Sequence, residues 1–188
     1  VGQTYGYGVA PSGTYNPWFN RYPTTINAGT APTIGKAVEP AAQNIAANVS
    51  NQVLGGFVTD FKGEAVSVTS MTFTYATGTA AISSPITSIS IVDENGAVVA
   101  GPVDSSLSGS MSGTLTFSDT VTFPAARKVY TLKGKVPSGT SNGVTFTFST
   151  TPSGWGNPTG QVSGNTITIS TGSFSMNAMT VQAAQLVV

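Results

Sequence analysis

Ala65-Val66-Ser67-Val68-Thr69-Ser70-Met71-Thr72-Phe73-Thr74-Tyr75 alternates apolar and hydroxyl side chains, and it does so in two phases. Val66 and Val68 are apolar at even positions, whereas Met71, Phe73 and Tyr75 are apolar at odd ones. Side chains of a strand point to opposite faces in turn, so the pattern is β with one extra residue absorbed near Thr69-Ser70. Either a β-bulge sits there or the strand passes from one sheet to another, and both belong to a sandwich.

The same alternation continues outward. From Thr24 onward, runs of period two are separated by turn residues about every eight to twelve positions, as in sandwiches and barrels. Strands are predicted near 24–28, 44–49, 52–58, 65–76, 86–92, 97–103, 113–123, 128–136, 143–150, 161–170 and 173–183. Asn95-Gly96 proposes a type I′ hairpin, and Gly164-Asn165 and Ser141-Asn142-Gly143 propose two similar turns. In the segment from Leu115 to Phe123, Asp119 falls on the apolar face. A buried unpaired carboxylate is costly, so a bend or a sheet edge is expected at that point. The one helical candidate is Glu39–Ala47, where Pro40 suits a first turn.

Composition sets the chemistry. The 188 residues include 28 Thr and 22 Ser, seven Lys plus Arg, seven Asp plus Glu, and no His or Cys. A nucleophilic triad lacks its usual base, and zinc lacks its usual ligands. Zero net charge leaves no footprint for nucleic acid and weakens the repulsion that keeps copies apart. No apolar run reaches the length of a membrane span. A start at Val1 is expected to follow loss of a secretion signal.

A few residues invite a functional reading. Asp60 and Glu64 flank Phe61-Lys62-Gly63 and can be read as a carboxylate pair for sugar hydrolysis, but a solvated turn offset by Lys62 is the expected reading. Asp93-Glu94-Asn95, joined by Asp104, offers oxygen ligands for Ca²⁺, though plain turn chemistry is favoured. Trp155 lies in a Gly/Pro-rich loop, where it either stacks on a glycan or covers one end of the sandwich. Asn48-Val49-Ser50 is an N-glycosylation sequon. No spacing selects a Lys-Asn crosslink. No catalytic residue, metal or cofactor is expected.

Residues 1–23 differ from the rest. Tyr5, Tyr7, Tyr15, Trp18, Phe19 and Tyr22 cluster there among Gly and Pro, with Arg21 the single charge. Burying an aromatic is worth roughly 1.5–3 kcal/mol, so this apolar area must dock somewhere. The segment reads as an arm before a domain spanning 24–188. The uncharged end Leu186-Val187-Val188 is a second candidate donor.

The domain resembles the immunoglobulin-like sandwich modules of prokaryotic surface proteins. The resemblance is carried by Thr25-Ile26-Asn27-Ala28-Gly29-Thr30-Ala31-Pro32, Leu54-Gly55-Gly56-Phe57, the Ala65–Phe73 run, and Val129-Tyr130-Thr131-Leu132-Lys133-Gly134. With the arm, it is similar to donor-strand filament subunits. The resemblance implies an extracellular or cell-surface protein. The expected fold is therefore an all-β, immunoglobulin-like or jelly-roll-type antiparallel β-sandwich with an N-terminal arm. The expected function is a non-enzymatic, secreted, pilus-like subunit whose partners are copies of itself. The alternative is an adhesin that binds surface glycans or other cells.

Overall fold

The computed structural model describes residues 32–182, and the predicted strand at 24–28, the aromatic arm and residues 183–188 lie outside them. Fifteen strands run in chain order: β1 (Thr33–Lys36), β2 (Asn44–Ile45), β3 (Gln52–Asp60), β4 (Val66–Val68), β5 (Met71–Gly78), β6 (Thr87–Val92), β7 (Val98–Val103), β8 (Ser106–Gly109), β9 (Ser112–Phe117), β10 (Val121–Phe123), β11 (Arg127–Lys135), β12 (Thr145–Thr150), β13 (Thr159–Gly160), β14 (Phe174–Ser175) and β15 (Met179–Val181). The described residues form no α-helix; one 3₁₀ turn spans Pro152–Gly154. The stretch 39–47, a helical candidate by sequence, is instead a loop that includes the short β2.

Three sheets result. A five-stranded sheet runs β1-β3-β11-β6-β7, a three-stranded sheet runs β10-β4-β13, and a seven-stranded sheet runs β2-β15-β12-β5-β9-β8 with β14 also on β12. Pairing is antiparallel throughout except between β15 and β2. The five- and seven-stranded sheets face each other: β1 lies against β14, β3 against β12 and β15, and β7 against β9.

The two-phase stretch is a corner. β4 belongs to the small sheet and β5 to the large one, so the chain changes sheets between Val68 and Met71. Its partner turns with it. Val68 pairs with Val121, and Met71 pairs with Phe117, leaving Thr69-Ser70 opposite Ser118-Asp119-Thr120. The strand predicted over 113–123 is therefore β9 and β10 with a bend between them. That bend releases Asp119 to the surface, where its Oδ2 accepts the Gly101 N–H at 2.9 Å.

Both phases end in the same core. Val66, Val68, Met71, Phe73 and Tyr75 are all buried, as are Phe57, Phe117, Phe123, Phe146 and Phe148. Phe57 touches rings from all three sheets, lying 5.4 Å from Tyr130, 5.8 Å from Phe73 and 6.4 Å from Phe123 between centroids. On the outer face of the large sheet hydroxyls pair with hydroxyls. Thr72 bonds Thr116 at 2.9 Å and Ser149 bonds Ser175 at 3.0 Å, which is how a surface with so little charge remains polar.

Two further segments depart from the sequence expectation. At Asp93–Ala97 the Gly96 N–H bonds the Asp93 carbonyl and the Asp93 N–H bonds the Ala97 carbonyl, with Gly96 at φ +81° and Asn95 outside the left-handed region. That is a type I turn closed by a glycine bulge, not type I′. The predicted strand 161–170 is a loop. It meets β13 through the bridge Thr159–Thr166.

Candidate functional site

Trp155 is the first candidate, and it is a core residue. It is 4% exposed and sits where the three sheets meet, with ring centroids 5.7 Å from Phe57, 6.2 Å from Phe73 and 5.8 Å from Phe123. Its indole N–H donates to Thr150 Oγ1 at 3.0 Å, and that hydroxyl donates to the Thr72 carbonyl at 2.7 Å. The loop carrying it also repairs the corner. Gly156 accepts from the Thr69 N–H and donates to the Ser70 carbonyl, both at 2.9 Å, satisfying groups that have left the strand ladder. An indole enclosed in this way offers no face to a sugar ring, so the glycan contact considered at Trp155 is corrected to a packing role.

The carboxylates serve the backbone. Glu64 is 5% exposed; its Oε2 accepts the Val162 and Ser163 N–H groups at 2.8 and 2.9 Å, and its Oε1 accepts the Ser163 hydroxyl at 2.8 Å. Burial pushes its pKa up, but the bonds from Ser163 and Val162 outweigh that and hold the carboxyl below its ordinary value. Gly160 lies directly on the Glu64 carboxylate, where any Cβ would collide with it. Glu64 is thus the anchor of the 160–165 loop and not part of a solvated turn. By capturing two consecutive N–H groups it also bends the chain where a strand is predicted. Asp60 instead pairs with Lys62 at 2.6 Å on a partly exposed surface.

The acidic hairpin is equally occupied. Asp93 Oδ1 accepts the Asn95 and Ala97 N–H groups, each at 2.9 Å, and the bond from Ala97 leads those that depress its pKa. Glu94 accepts Lys128 Nζ at 2.9 Å and the Val129 N–H at 3.0 Å. Asp104 accepts the Ser88 N–H at 2.7 Å, so it does not complete an oxygen cage with the hairpin. Beneath the hairpin, burial together with the charges of Asp93 and Glu94 raises the Tyr130 phenol to about 12. Among the described residues no three potential metal ligands converge.

Asn48 is exposed in a turn at φ 58°, with its N–H on the Val136 carbonyl at 2.9 Å. Its side chain is sterically open to modification. The assembly candidates Tyr5, Tyr7, Tyr15, Trp18, Phe19 and Tyr22 all lie outside the described residues. No described helix is long and apolar enough to cross a membrane.

Sequence reasoning misses strands β1 and β8. It predicts no separate strand at β8, yet all four residues of β8 are exposed at the edge of the large sheet. Its backbone pairs with β9, and the residues at its two ends, Ser105 and Ser110, bond Ile86 and Ile82, so the 82–86 segment lies beside its outer edge. The signal available in the sequence is the absence of any charge or proline from Ser105 to Phe117.

No model of a known protein family matches the sequence, and no curated protein matches it. Among solved structures the chain is similar to the crystal structure of a DUF4466 family protein from Parabacteroides merdae, with 13% sequence identity and a TM-score of 0.31. The match covers 78% of this chain and 42% of that one, so the chain spans less than half of that protein's length. So loose a likeness carries no argument.

Proposed function

We propose that this chain is a non-enzymatic structural subunit of an extracellular filament or pilus-like fibre, built on an immunoglobulin-like or jelly-roll-type sandwich. Subunits join when a terminal segment of one, the aromatic arm at 1–23, inserts into the next. The observation that carries this reading is the contrast in composition between arm and body. Residues 1–23 hold six large aromatics and one charge, beside a body whose described carboxylates are engaged with its own backbone or with lysine. Apolar area on that scale favours burial against protein, and a non-closing contact between identical chains produces a fibre.

Deleting residues 1–23 is the test. The truncated chain is expected to remain folded by circular dichroism and to form no filaments in electron micrographs. Filaments that persist after truncation reject the arm as donor. The glycan-binding alternative is not carried forward from Trp155, whose ring is enclosed.

A further inference from the structure

We propose that the outer face of the seven-stranded sheet is a lateral contact on which the same face of a second copy packs, joining neighbouring filaments side by side. The inference rests on the filament reading above and adds a sideways contact to it. Registers across this sheet align outward hydroxyls in rows. Ser175 pairs with Ser149, Ser149 with Thr74, Thr74 with Thr114 and Thr114 with Ser106, one row across five strands. Thr147, Ala76 and Ser112 make a second row, and Thr72 and Thr116 a third. The large side chains of β5, β9 and β12, among them Phe73, Tyr75 and Phe148, are all buried on the other face. Thr72, Thr74, Ala76 and Thr116 are exposed.

Charge is segregated between the two large sheets. Lys36, Asp60, Arg127, Lys128, Lys133 and Lys135 stand on strands of the five-stranded sheet. No strand of the seven-stranded sheet holds a charged residue. Two copies meeting through the first would crowd lysines together, whereas through the second they meet no repulsion. The β8 edge of the neutral sheet is flanked by residues 82–86, with the Ser105 N–H on the Ile86 carbonyl and the Ile82 N–H on the Ser110 carbonyl. The face, and not that edge, is what the sheet offers to a partner.

The occupant is identified by chemistry and by area. A hydroxyl donates one hydrogen bond and accepts two. Thr72–Thr116, Ser149–Ser175 and Ser108–Thr114 pair within the face at 2.9, 3.0 and 3.2 Å, and each pair leaves one proton and unused lone pairs for a partner. The face is donor and acceptor at once, which makes it complementary to itself. A charged partner would lose hydration here without meeting an opposite charge, and a sugar ring would find no exposed aromatic on these strands to stack on. Strand spacing and rise make the patch about 20 Å by 20 Å, so two copies bury about 800 Å² between them. Stable interfaces begin near roughly 1,200 Å², so a single contact holds no dimer. Repeated along a fibre the contacts add, and lateral joining follows polymerisation.

Pelleting separates the two contacts, because bundles sediment at low speed and single filaments only at high speed. Thr74 is the middle of the five-strand row, so a two-fold arrangement sets it beside its counterpart. Native full-length filaments are expected in the low-speed pellet. Thr74→Lys is expected to lose that pellet while keeping the high-speed one and an unchanged melting temperature, and Thr74→Glu to do the same. Thr116→Lys repeats the test on a neighbouring strand. Equal mixtures of Thr74→Lys and Thr74→Glu filaments at low ionic strength are expected to regain the low-speed pellet, since opposite charges then face each other. Thr131→Lys, on β11 of the five-stranded sheet, is expected to pellet as the native chain does. Native filaments absent from the low-speed pellet, Thr74→Lys filaments that bundle as native ones do, mixtures that stay dispersed, or an equal loss in Thr131→Lys each overturn the proposal and leave the filament reading standing. Variants at Thr74 and Thr116 that melt normally yet vanish from both pellets move the face into the joint between subunits and overturn it too. A native chain found in neither pellet overturns both.

Discussion

The junction around Trp155 and the rim at β8 are made from the same materials and end in opposite states. Around Trp155 three sheets converge, an indole N–H, a threonine hydroxyl and a backbone carbonyl are linked in series, and Gly156 completes the backbone bonding of the corner. At β8 four uncharged residues stand exposed, with one side of their backbone paired to β9. The difference lies in the path the chain takes on leaving each strand. After β12 the chain returns over the corner through Pro152–Trp155, while β8 turns directly into β9 and is flanked by the 82–86 segment, with Ser105 N–H on the Ile86 carbonyl and Ile82 N–H on the Ser110 carbonyl. A protein with few charges has few means of guarding an edge, and at β8 a neighbouring stretch of chain lies beside it.

The comparison can be broken most severely at Trp155. Trp155→Ala is expected to destabilise the fold by about 3–5 kcal/mol, since it empties the space between Phe57, Phe73 and Phe123. Urea unfolding monitored by circular dichroism measures this, and an unchanged midpoint contradicts the junction. Glu64→Ala comes next, at about 1–3 kcal/mol, because two backbone N–H groups lose their acceptor. Its pKa is depressed in the fold, so its contribution is complete above the ordinary value of 4.5 and is lost as pH falls through the lower folded value. Glu64→Gln should flatten that acid limb of the stability curve.

Tyr130 sets the alkaline limit. Its phenol titrates near 10 when unfolded and about 12 in the fold, so the stability tied to the neutral phenol is complete below pH 10 and falls away as pH rises toward 12. Tyr130→Phe is expected to remove most of that decline in thermal melts. A decline that persists in the variant assigns it to other groups. The smallest effect on folding is expected at Leu107→Lys, within about 0.5 kcal/mol, as for exposed substitutions generally.

These contrasts are unevenly visible in the sequence. The corner is legible because burial on both sides of it forces a phase change between Val68 and Met71, and because Asp119 would otherwise be buried. Alternation is a local signal, and at these places the local signal and the packing agree. Elsewhere a distant residue decides the outcome. Val162, Ile167 and Ile169 suggest a strand, but the Glu64 carboxylate, about a hundred positions earlier, captures the backbone at Val162 and Ser163 and turns it into a loop. Asn95-Gly96 suggests a type I′ turn, whereas the Asp93 carboxylate bonds two N–H groups further along the chain and selects type I with a bulge. The enclosure of Trp155 depends on rings from Phe57, Phe73 and Phe123, which are remote in sequence. β8 is hidden for a simpler reason: Ser and Gly alternate too weakly to mark a strand.

The proposal that residues 1–23 join one copy to the next is tested most directly by electron micrographs of the full-length chain beside the chain lacking residues 1–23. The account predicts filaments from the full-length chain and folded, dispersed molecules from the truncated one. Filaments from the truncated chain would contradict it.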